Sequence, residues 1–400
     1  MKKFSKIPLD RVVVLNKSGA KRLKDFERME EMYPSGFIAV TNYEAMRTEA
    51  FHRMLVEWRP EILVADESQK CKTPNSKTAK ALYPLADSSK HRYILTGTPV
   101  TNKLLDIWSQ FRVLDKGETF SDNFFVFRSK YFYDANAGKP WLQFKNWVPQ
   151  KSAEEEISKR MSKYALQARK EDCLSLPPMV KQSIPVELGK DQRKAYDEME
   201  KHFVTEVGGS QITAQLVLTQ TLRLQTILAG FVSSEDTEEG IVFKDNPRLK
   251  ALSELMESLH TSGQVLVWTN FTATYKMIGD ELTKLKIPHG FLTGQQNVKE
   301  KEECIRAFKQ GEISTLVCNP QAVSLGVNLQ EAKYMVYYTR SYNMEQDVQS
   351  EARCYRGGSE MHDKVTRYDL VAADTLDDVI LEALRGKQAL AEKVLEWVKK

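Results

Sequence analysis

Two apolar segments of this 400-residue chain end in polar motifs. Ile62–Ala65 leads directly into Asp66 and Glu67, and residues 93–95 lead into the sequence Thr96-Gly97-Thr98-Pro99. We expect the first segment to be a strand of a parallel sheet, buried on both faces. Its carboxylates then lie at the carboxyl end, where open α/β sheets bind ligands. An isolated Asp-Glu pair is usually a solvated surface charge, but the second motif at a second strand end weakens that explanation.

Adjacent Asp and Glu side chains in this position suit phosphoryl transfer. In such sites the Asp holds a magnesium ion, and the Glu orients or deprotonates the attacking water. The sequence therefore predicts that Asp66 binds Mg²⁺ through water and that Glu67 is the catalytic base.

Strand-like and helix-like segments alternate in both halves of the chain, which predicts βαβ units and parallel sheets. We predict an α/β fold of two lobes, with one lobe in residues 1–116 and a second lobe with a C-terminal helical tail in residues 247–400. Residues 117–246 are predicted to be a helical insertion and linker. Their many aromatic side chains are expected mainly in the core. The predicted strands span 11–15, 36–40, 62–65, 92–95, 264–268, 289–292, 314–318 and 334–338.

The composition is that of an ordinary globular chain, with 42% hydrophobic and 28% charged residues. Its five cysteines include no C-x-x-C pair, which argues against a disulfide framework and a zinc site. No apolar run reaches the roughly 18 residues that span a bilayer, and no signal peptide is evident. We therefore expect a cytoplasmic protein, or one associated with the nucleoid or nucleus. A net charge of +4 permits a nucleic-acid partner without requiring one.

A second group of polar residues follows the strands of the C-terminal half. Arg353 and Arg356 are three residues apart, so on a helix they share a face. Guanidinium groups match phosphate oxygens in a two-pronged geometry, and an arginine finger typically contributes about 10³–10⁵ in rate. The pair alone also fits a solvated basic helix end.

Taken in order, the motifs of the chain resemble the helicase motif series of superfamily two, and specifically the Swi/Snf-type DNA-dependent ATPases. The resemblance covers nearly the whole chain. The segments that carry it are residues 41–44, 66–69, 95–99, 265–271, 292–294, 324–329 and 349–358.

The resemblance implies two RecA-like lobes, ATP and Mg²⁺ as cofactors, and double-stranded DNA as a partner. It implies that Arg353 and Arg356 face the phosphates, with Arg356 the favoured finger. The remaining implied roles are nucleotide binding by Asp66, Gln69, Gly326, Asn328 and Gln349, coupling by Thr96, Gly97 and Thr98, and contact with the DNA backbone by Thr41, Asn270 and Gly294.

Some motifs depart from the family pattern. Gln69 stands where the family usually has His, and Tyr355 also stands where His is common. Residues 322–326 replace a glycine-rich stretch, and Gly358 is followed by Ser359 rather than Gln. These departures loosen the motifs without removing them.

The phosphate-binding (Walker A) loop, G-x-x-x-x-G-K-[ST], is absent from the sequence. In the family this loop precedes the strand that residues 11–15 resemble, so the resemblance implies an N-terminally truncated first lobe with an exposed hydrophobic edge. Either a separate polypeptide carries the loop, or the reading frame is truncated and inactive alone, or the chain is an inactive remnant that binds nucleic acid or a partner. A subunit of a restriction or repair complex is a weaker alternative.

Overall fold

The computed structural model describes residues 7–100, 103–138, 145–168, 170–209, 214–232, 240–323, 327–340, 343–382 and 384. These residues form two compact units. The first is drawn from Met1–Tyr133 and Trp147–Ala165, and the second from Asp134–Asn146 and Leu166–Lys399. The predicted division at residues 116 and 246 stays a prediction. Gly326 and most of the predicted C-terminal tail lie outside the described residues.

The first unit alternates strands and helices, as the sequence predicts. Strands β1 and β2 form one parallel pair, and β3 and β4 form another. The elements up to residue 161 are β1 (Val12–Val14), α1 (Ala20–Met32), β2 (Ile38–Val40), α2 (Glu49–Trp58), β3 (Ile62–Ala65), α3 (Lys77–Ser88), β4 (His91–Ile94), α4 (Asp106–Asp115), α5 (Phe124–Tyr131), β5 (Phe132–Asp134), β6 (Trp147–Pro149) and α6 (Ala153–Met161).

Among the described residues, helices cover only one face of the β3–β4 pair. Leu63, Ala65 and Ile94 pack on a core that includes residues of α1, α2 and α3. On the other face Ile62 and Val64 are 56% and 52% exposed. The expectation that this strand is buried on both faces is therefore wrong, because the described helices pack on one side alone. We call Ile62, Val64, Tyr93 and Leu95 the open face.

The predicted core role of the aromatic residues after position 117 is confirmed for four of them. Phe120, Phe127, Tyr131 and Phe132 are each no more than 3% exposed and pack edge-on or tilted against one another. By contrast, Phe125 and Tyr133 are exposed.

The second unit contains a six-stranded parallel sheet in the order β11-β12-β10-β13-β14-β7. The predicted α/β fold is confirmed. Its elements are α7 (Lys170–Cys173), β7 (Met179–Val186), α8 (Lys190–Gly209), α9 (Ala214–Leu228), β8 (Phe231–Val232), β9 (Ile241–Val242), α10 (Pro247–Leu259), β10 (Gln264–Trp268), α11 (Thr272–Lys284), β11 (His289–Leu292), α12 (Val298–Lys309), β12 (Thr315–Cys318), β13 (Ala332–Tyr337), α13 (Met344–Cys354) and β14 (Val365–Ala372).

Both faces of this sheet are covered, in contrast to the open face. Along β10, Val265 and Val267 enter one hydrophobic core, while Leu266 and Trp268 enter the other. All four are fully buried, as expected for a central parallel strand. No helix in the described part of the chain is long and apolar enough to cross a membrane.

The edge strand β7 is not predicted by the sequence. Its central residues are polar, and Pro185 lies within it. Proline lacks the N–H that a central strand needs and is confined to edge strands, which is where β7 lies. The strand also lacks the alternation of apolar and polar residues from which a strand is usually predicted.

Asparagine side chains cap the start of α12 and α13 in the second unit. Asn343 accepts from the backbone N–H groups of Glu345 and Gln346 at the start of α13. At α12, Asn297 and Glu300 form a reciprocal capping box. Such caps satisfy N–H groups that have no partner within the helix, and they fix where α13 begins.

Candidate functional site

Asp66 and Glu67 follow β3 at its carboxyl end. The exposed carboxylate of Asp66 accepts the backbone N–H of Glu67 at 2.9 Å. Glu67 has φ +51°, which is uncommon for a residue other than glycine. Tyr43 donates its hydroxyl to the Asp66 carbonyl at 2.6 Å, and burial raises the pKa of Tyr43, so the phenol keeps its proton. These contacts hold the two carboxylates in a tight turn.

Gln69 connects the carboxylates to the motif after β4. This side chain is buried, and its amide nitrogen donates to Glu67 Oε2 at 2.5 Å. Its amide oxygen accepts the Thr96 hydroxyl at 2.7 Å, and Thr96 Oγ1 in turn accepts the Thr98 N–H at 3.1 Å. Four predicted site residues thus form one hydrogen-bonded chain, which we call the Gln69 bridge: Glu67, Gln69, Thr96 and Thr98. Gly97 lies between the two threonines and is exposed.

A buried glutamine on α4, not singled out from the sequence, supports this arrangement. Gln110 accepts the Ser68 hydroxyl at 2.8 Å and donates to the Pro99 carbonyl at 2.7 Å. It is fully buried, so it ties both motifs to a rigid helix. The sequence gives little signal for this role, because Gln110 is one of several polar residues on α4.

Asp66 suits a magnesium ion. Mg²⁺ is usually held by one or two carboxylates, with water and substrate phosphates completing its shell. The described residues contain no cluster of three acidic, His or Cys side chains that could hold a metal alone. Because the Asp66 carboxylate is exposed, it has lone pairs left for the ion or its water.

Thr41 follows β2 in the same unit. Its hydroxyl oxygen is buried and has no hydrogen-bond partner among the described residues. Buried polar atoms without a partner are rare in folded proteins, and each calls for an explanation.

In the second unit, polar residues follow the carboxyl ends of neighbouring strands. The Asn270 N–H donates to Thr339 Oγ1 at 2.9 Å, and Asn319 Nδ2 donates to the Asn270 carbonyl at 3.3 Å. The Thr339 hydroxyl also bonds to that of the buried Thr269. These bonds join the ends of β10, β12 and β13. Gly294 follows β11 and is exposed, and a Cβ at this position would have no described atom within 4 Å.

Helix α13 carries the remaining predicted residues. Gln349 donates to Glu345 at 3.3 Å, and the Arg353 carbonyl accepts the Leu329 N–H at 2.8 Å, beside the partly buried Asn328. Arg356 lies in the turn after the helix. The structure thus brings Arg353 close to the segment of Asn328. The residues of the Gln69 bridge belong to the first unit, and those of α13 belong to the second.

Known proteins resemble the chain over most of its length. A phage protein named p41, from Acyrthosiphon pisum secondary endosymbiont phage 1, is 28% identical over 86% of this chain and 74% of its own length. An uncharacterized ATP-dependent helicase of Mycoplasma genitalium is 25% identical over 93% of this chain. The human SWI/SNF-related matrix-associated actin-dependent regulator of chromatin subfamily A member 1 is 27% identical over 92% of this chain. This chain spans 34% and 35% of the latter two proteins.

Among solved structures, the SWI2/SNF2 ATPase core of Sulfolobus solfataricus in complex with double-stranded DNA is 23% identical. The match covers 96% of this chain and 76% of the Sulfolobus chain, with a TM-score of 0.44. The helicase conserved C-terminal domain matches residues 247–358. The SNF2-related domain matches residues 1–235, which is more than half of the chain. The chain therefore belongs to the SNF2-related (Swi/Snf) family of helicase superfamily two.

Proposed function

We propose that the chain is the main part of a DNA-dependent ATPase that couples ATP hydrolysis to movement on duplex DNA. The observation that carries the proposal is the Gln69 bridge. It connects the predicted base, Glu67, with the predicted coupling residues Thr96 and Thr98. A surface Asp-Glu pair without catalytic use would not need a buried amide that holds one carboxylate.

Each residue of the site has a defined task in this reaction. Bound Mg²⁺, held through water by Asp66, would neutralise charge on the phosphate oxygens. Glu67, fixed by Gln69, orients the attacking water and accepts its proton. Arg353 and Arg356 of the second unit neutralise charge on the transferring phosphoryl group, as arginine fingers do. Thr96 and Thr98, joined to Glu67 through Gln69, couple the state of the nucleotide to the binding of DNA.

ATP hydrolysis also needs backbone N–H groups and a lysine around the β- and γ-phosphates. No Walker A sequence occurs among the 400 residues. We propose that a separate polypeptide supplies it and docks on the open face. Parallel sheets are normally covered on both faces, and the β3–β4 pair has a free edge in the described part of the chain. The expected partner is an α/β segment that offers apolar helices to the open face and a strand to β4.

The open face provides a test of this partner. Val64→Lys combined with Tyr93→Lys should abolish binding of a purified Walker A segment while leaving the melting temperature unchanged, since both side chains already face solvent. Val298→Lys, at a 72% exposed valine of the second unit, is the matched control. Equal binding by the double variant and the control would show that the segment docks elsewhere.

Double-stranded DNA is the proposed substrate for movement, which agrees with a protein that acts in the cytoplasm, nucleoid or nucleus. The partly buried Asn270 and the exposed Gly294 lie at the carboxyl edge of the second sheet, and Thr41 has a buried hydroxyl without a partner among the described residues of the first unit. Contacts from such groups to the DNA backbone fix position without reading sequence. Asn270→Asp should therefore weaken binding to all duplex sequences by a similar factor.

The deciding experiment measures ATP hydrolysis by the chain, with and without duplex DNA, beside Glu67→Gln. The Walker A segment is added in a parallel series. DNA-stimulated turnover that disappears in Glu67→Gln, with ATP binding retained, supports the proposal. Near-normal turnover in that variant would refute the assignment of the base.

The second candidate is a module without catalysis that binds nucleic acid or a partner, and the exposed apolar side chains of the open face favour it. DNA affinity distinguishes the two candidates. Release of DNA on addition of ATP indicates the motor, whereas DNA binding that is indifferent to nucleotide indicates the module.

A further inference from the structure

A network of charges, centred on two buried arginines, joins α13 to the sheet of the second unit. Arg367 on β14 lies 2.6 Å from Glu351 on α13 and 3.3 Å from Asp369. Arg340, just after β13, lies 2.5 Å from Asp347 on α13 and 3.5 Å from Asp369. Lys181 on β7 also contacts Glu351, at 2.9 Å. The network balances three positive charges against three carboxylates.

The two arginines are buried and share one aromatic ring. The side chains of Arg367 and Arg340 are 5% and 10% exposed. Their guanidinium carbons lie 4.5 and 4.4 Å from the ring centre of Tyr337. The Tyr337 hydroxyl is hydrogen-bonded to Ser350 of α13 at 2.8 Å. A single tyrosine thus connects both arginines and the helix.

All contacts from α13 to this network come from one face of the helix. Asp347, Ser350 and Glu351 are three and four residues apart, which places them together. Cys354 continues the same face and donates its thiol to the Ala332 carbonyl at 2.9 Å. With about 100° per residue, Arg353 points roughly 110° away from the centre of that face. The helix is anchored on one side, and its arginine-bearing side is turned away from the anchor.

We propose that Arg367 is a positioning residue: through Glu351 and Asp347 it fixes the rotation of α13 and so the direction in which Arg353 and Arg356 are presented. The inference rests on the proposed function for the role of these two arginines, but the anchoring itself is independent of it. Arg367 has the central place, because it contacts Asp347 and Glu351 of the helix and also Asp369.

Because Arg367 is buried, removing its charge should have a large effect. A buried ion that loses its partner is strongly unfavourable, whereas an exposed ion pair contributes little. Removal of the Arg367 charge leaves Glu351 with Lys181 and crowds Asp347 and Asp369 around Arg340. We expect α13 to detach locally while the sheet, buried on both faces, stays folded.

Hydrogen exchange followed by mass spectrometry tests the anchor in the full-length chain. In Arg367→Met the amides of α13 should exchange at least tenfold faster than in the wild type, with β10 and β13 unchanged. Arg306→Met is the matched control, because Arg306 on α12 forms comparable contacts with Glu303 and Glu312 at the protein surface. Arg367→Lys should restore part of the protection, since a lysine can reach one carboxylate.

Two results would overturn the proposal. One is unchanged exchange in α13, and the other is an equal increase across the whole sheet, which indicates a general loss of stability. If Arg367→Met does not fold, Glu351→Gln removes the same contact from the helix side. Exchange of the α13 amides is then measured in that variant, with the same expected increase.

Steady-state kinetics with added Walker A segment provides a second readout. Arg367→Met should lower kcat at least tenfold and change KM for ATP less than threefold, with partial rescue by Arg367→Lys. An unchanged kcat overturns the positioning role. Absence of hydrolysis in the wild type refutes the proposed function instead, and the exchange data then still decide whether Arg367 anchors α13.

Discussion

The side-chain oxygen of Gln69 accepts the hydroxyl of Thr96 at 2.7 Å, while the nitrogen of the same amide donates to Glu67. An amide is suited to this position because it carries a donor and an acceptor on one rigid group. Neutral histidine offers the same pair of functions on its two ring nitrogens. Gln69 can therefore connect the base with a coupling residue, as a histidine at this position could.

Substitution of Gln69 tests this connection. Gln69→Leu should lower the ATPase rate about 10- to 100-fold, because a misplaced base is costly in rate while the binding of ATP is unaffected. Gln69→His should retain most of the rate. Both variants are compared at saturating ATP in the presence of DNA and the Walker A segment. Equal rates in Gln69→Leu and the wild type would separate the bridge from catalysis.

Much of the fold is predictable from local patterns. The strands β3, β10 and β11 occupy the predicted residues, because each is a mainly apolar run between clear polar boundaries. Asn297 and Glu300 supply a capping signal in the sequence itself. Such features depend on neighbours along the chain, so tertiary contacts seldom change them.

The remaining features depend on tertiary contacts. An apolar strand has the same sequence whether one face or both are covered, so the exposure of Ile62 and Val64 is not predictable. The partners of Arg367 lie on a distant helix and on its own strand, and no spacing rule joins Arg367 to Arg340. The Gln69 bridge likewise requires residues that are 27 positions apart.

Arg356 provides a prediction about chemistry rather than stability. Arg356→Ala should lower the ATPase rate by about 10³-fold or more, because an arginine finger acts on charge that develops during the transfer. Affinity for duplex DNA should change far less, and filter binding at fixed salt measures it. An equal loss of DNA affinity would place Arg356 on the DNA.

Two neighbouring cations on α10, one in a buried ion pair and one exposed, should differ strongly in their contribution to stability. Arg248 is 2% exposed, donates to the Tyr338 carbonyl at 2.9 Å and pairs with Asp377. The side chain of Lys250 is 78% exposed, and its Nζ lies 4.0 Å from Glu254 Oε1. Arg248→Met should lower the free energy of unfolding of this unit by about 3–5 kcal/mol, because Asp377 loses its positively charged partner. Lys250→Met should cost less than about 1 kcal/mol. Urea titration measures both, and similar midpoints for the two variants would contradict the prediction.

The five cysteines differ sharply in environment, which predicts their order of reaction with a maleimide. Cys173 is exposed and Cys304 is partly buried, whereas Cys71, Cys318 and Cys354 are fully buried. Burial raises the pKa of Cys71 and of Cys354 to about 12, and burial raises that of Cys318 as well.

Since the thiolate is the reactive form, we expect the native chain to react first at Cys173 and more slowly at Cys304. The three buried thiols should stay unmodified even when the pH is raised from about 7 to about 9, because this range lies well below their raised pKa. Intact-mass spectrometry counts the adducts, and all five sites should react once the chain is unfolded in urea. Rapid modification of Cys354 in the native chain would show that α13 opens from the sheet without any substitution, and Arg367→Met should accelerate modification at that site in particular.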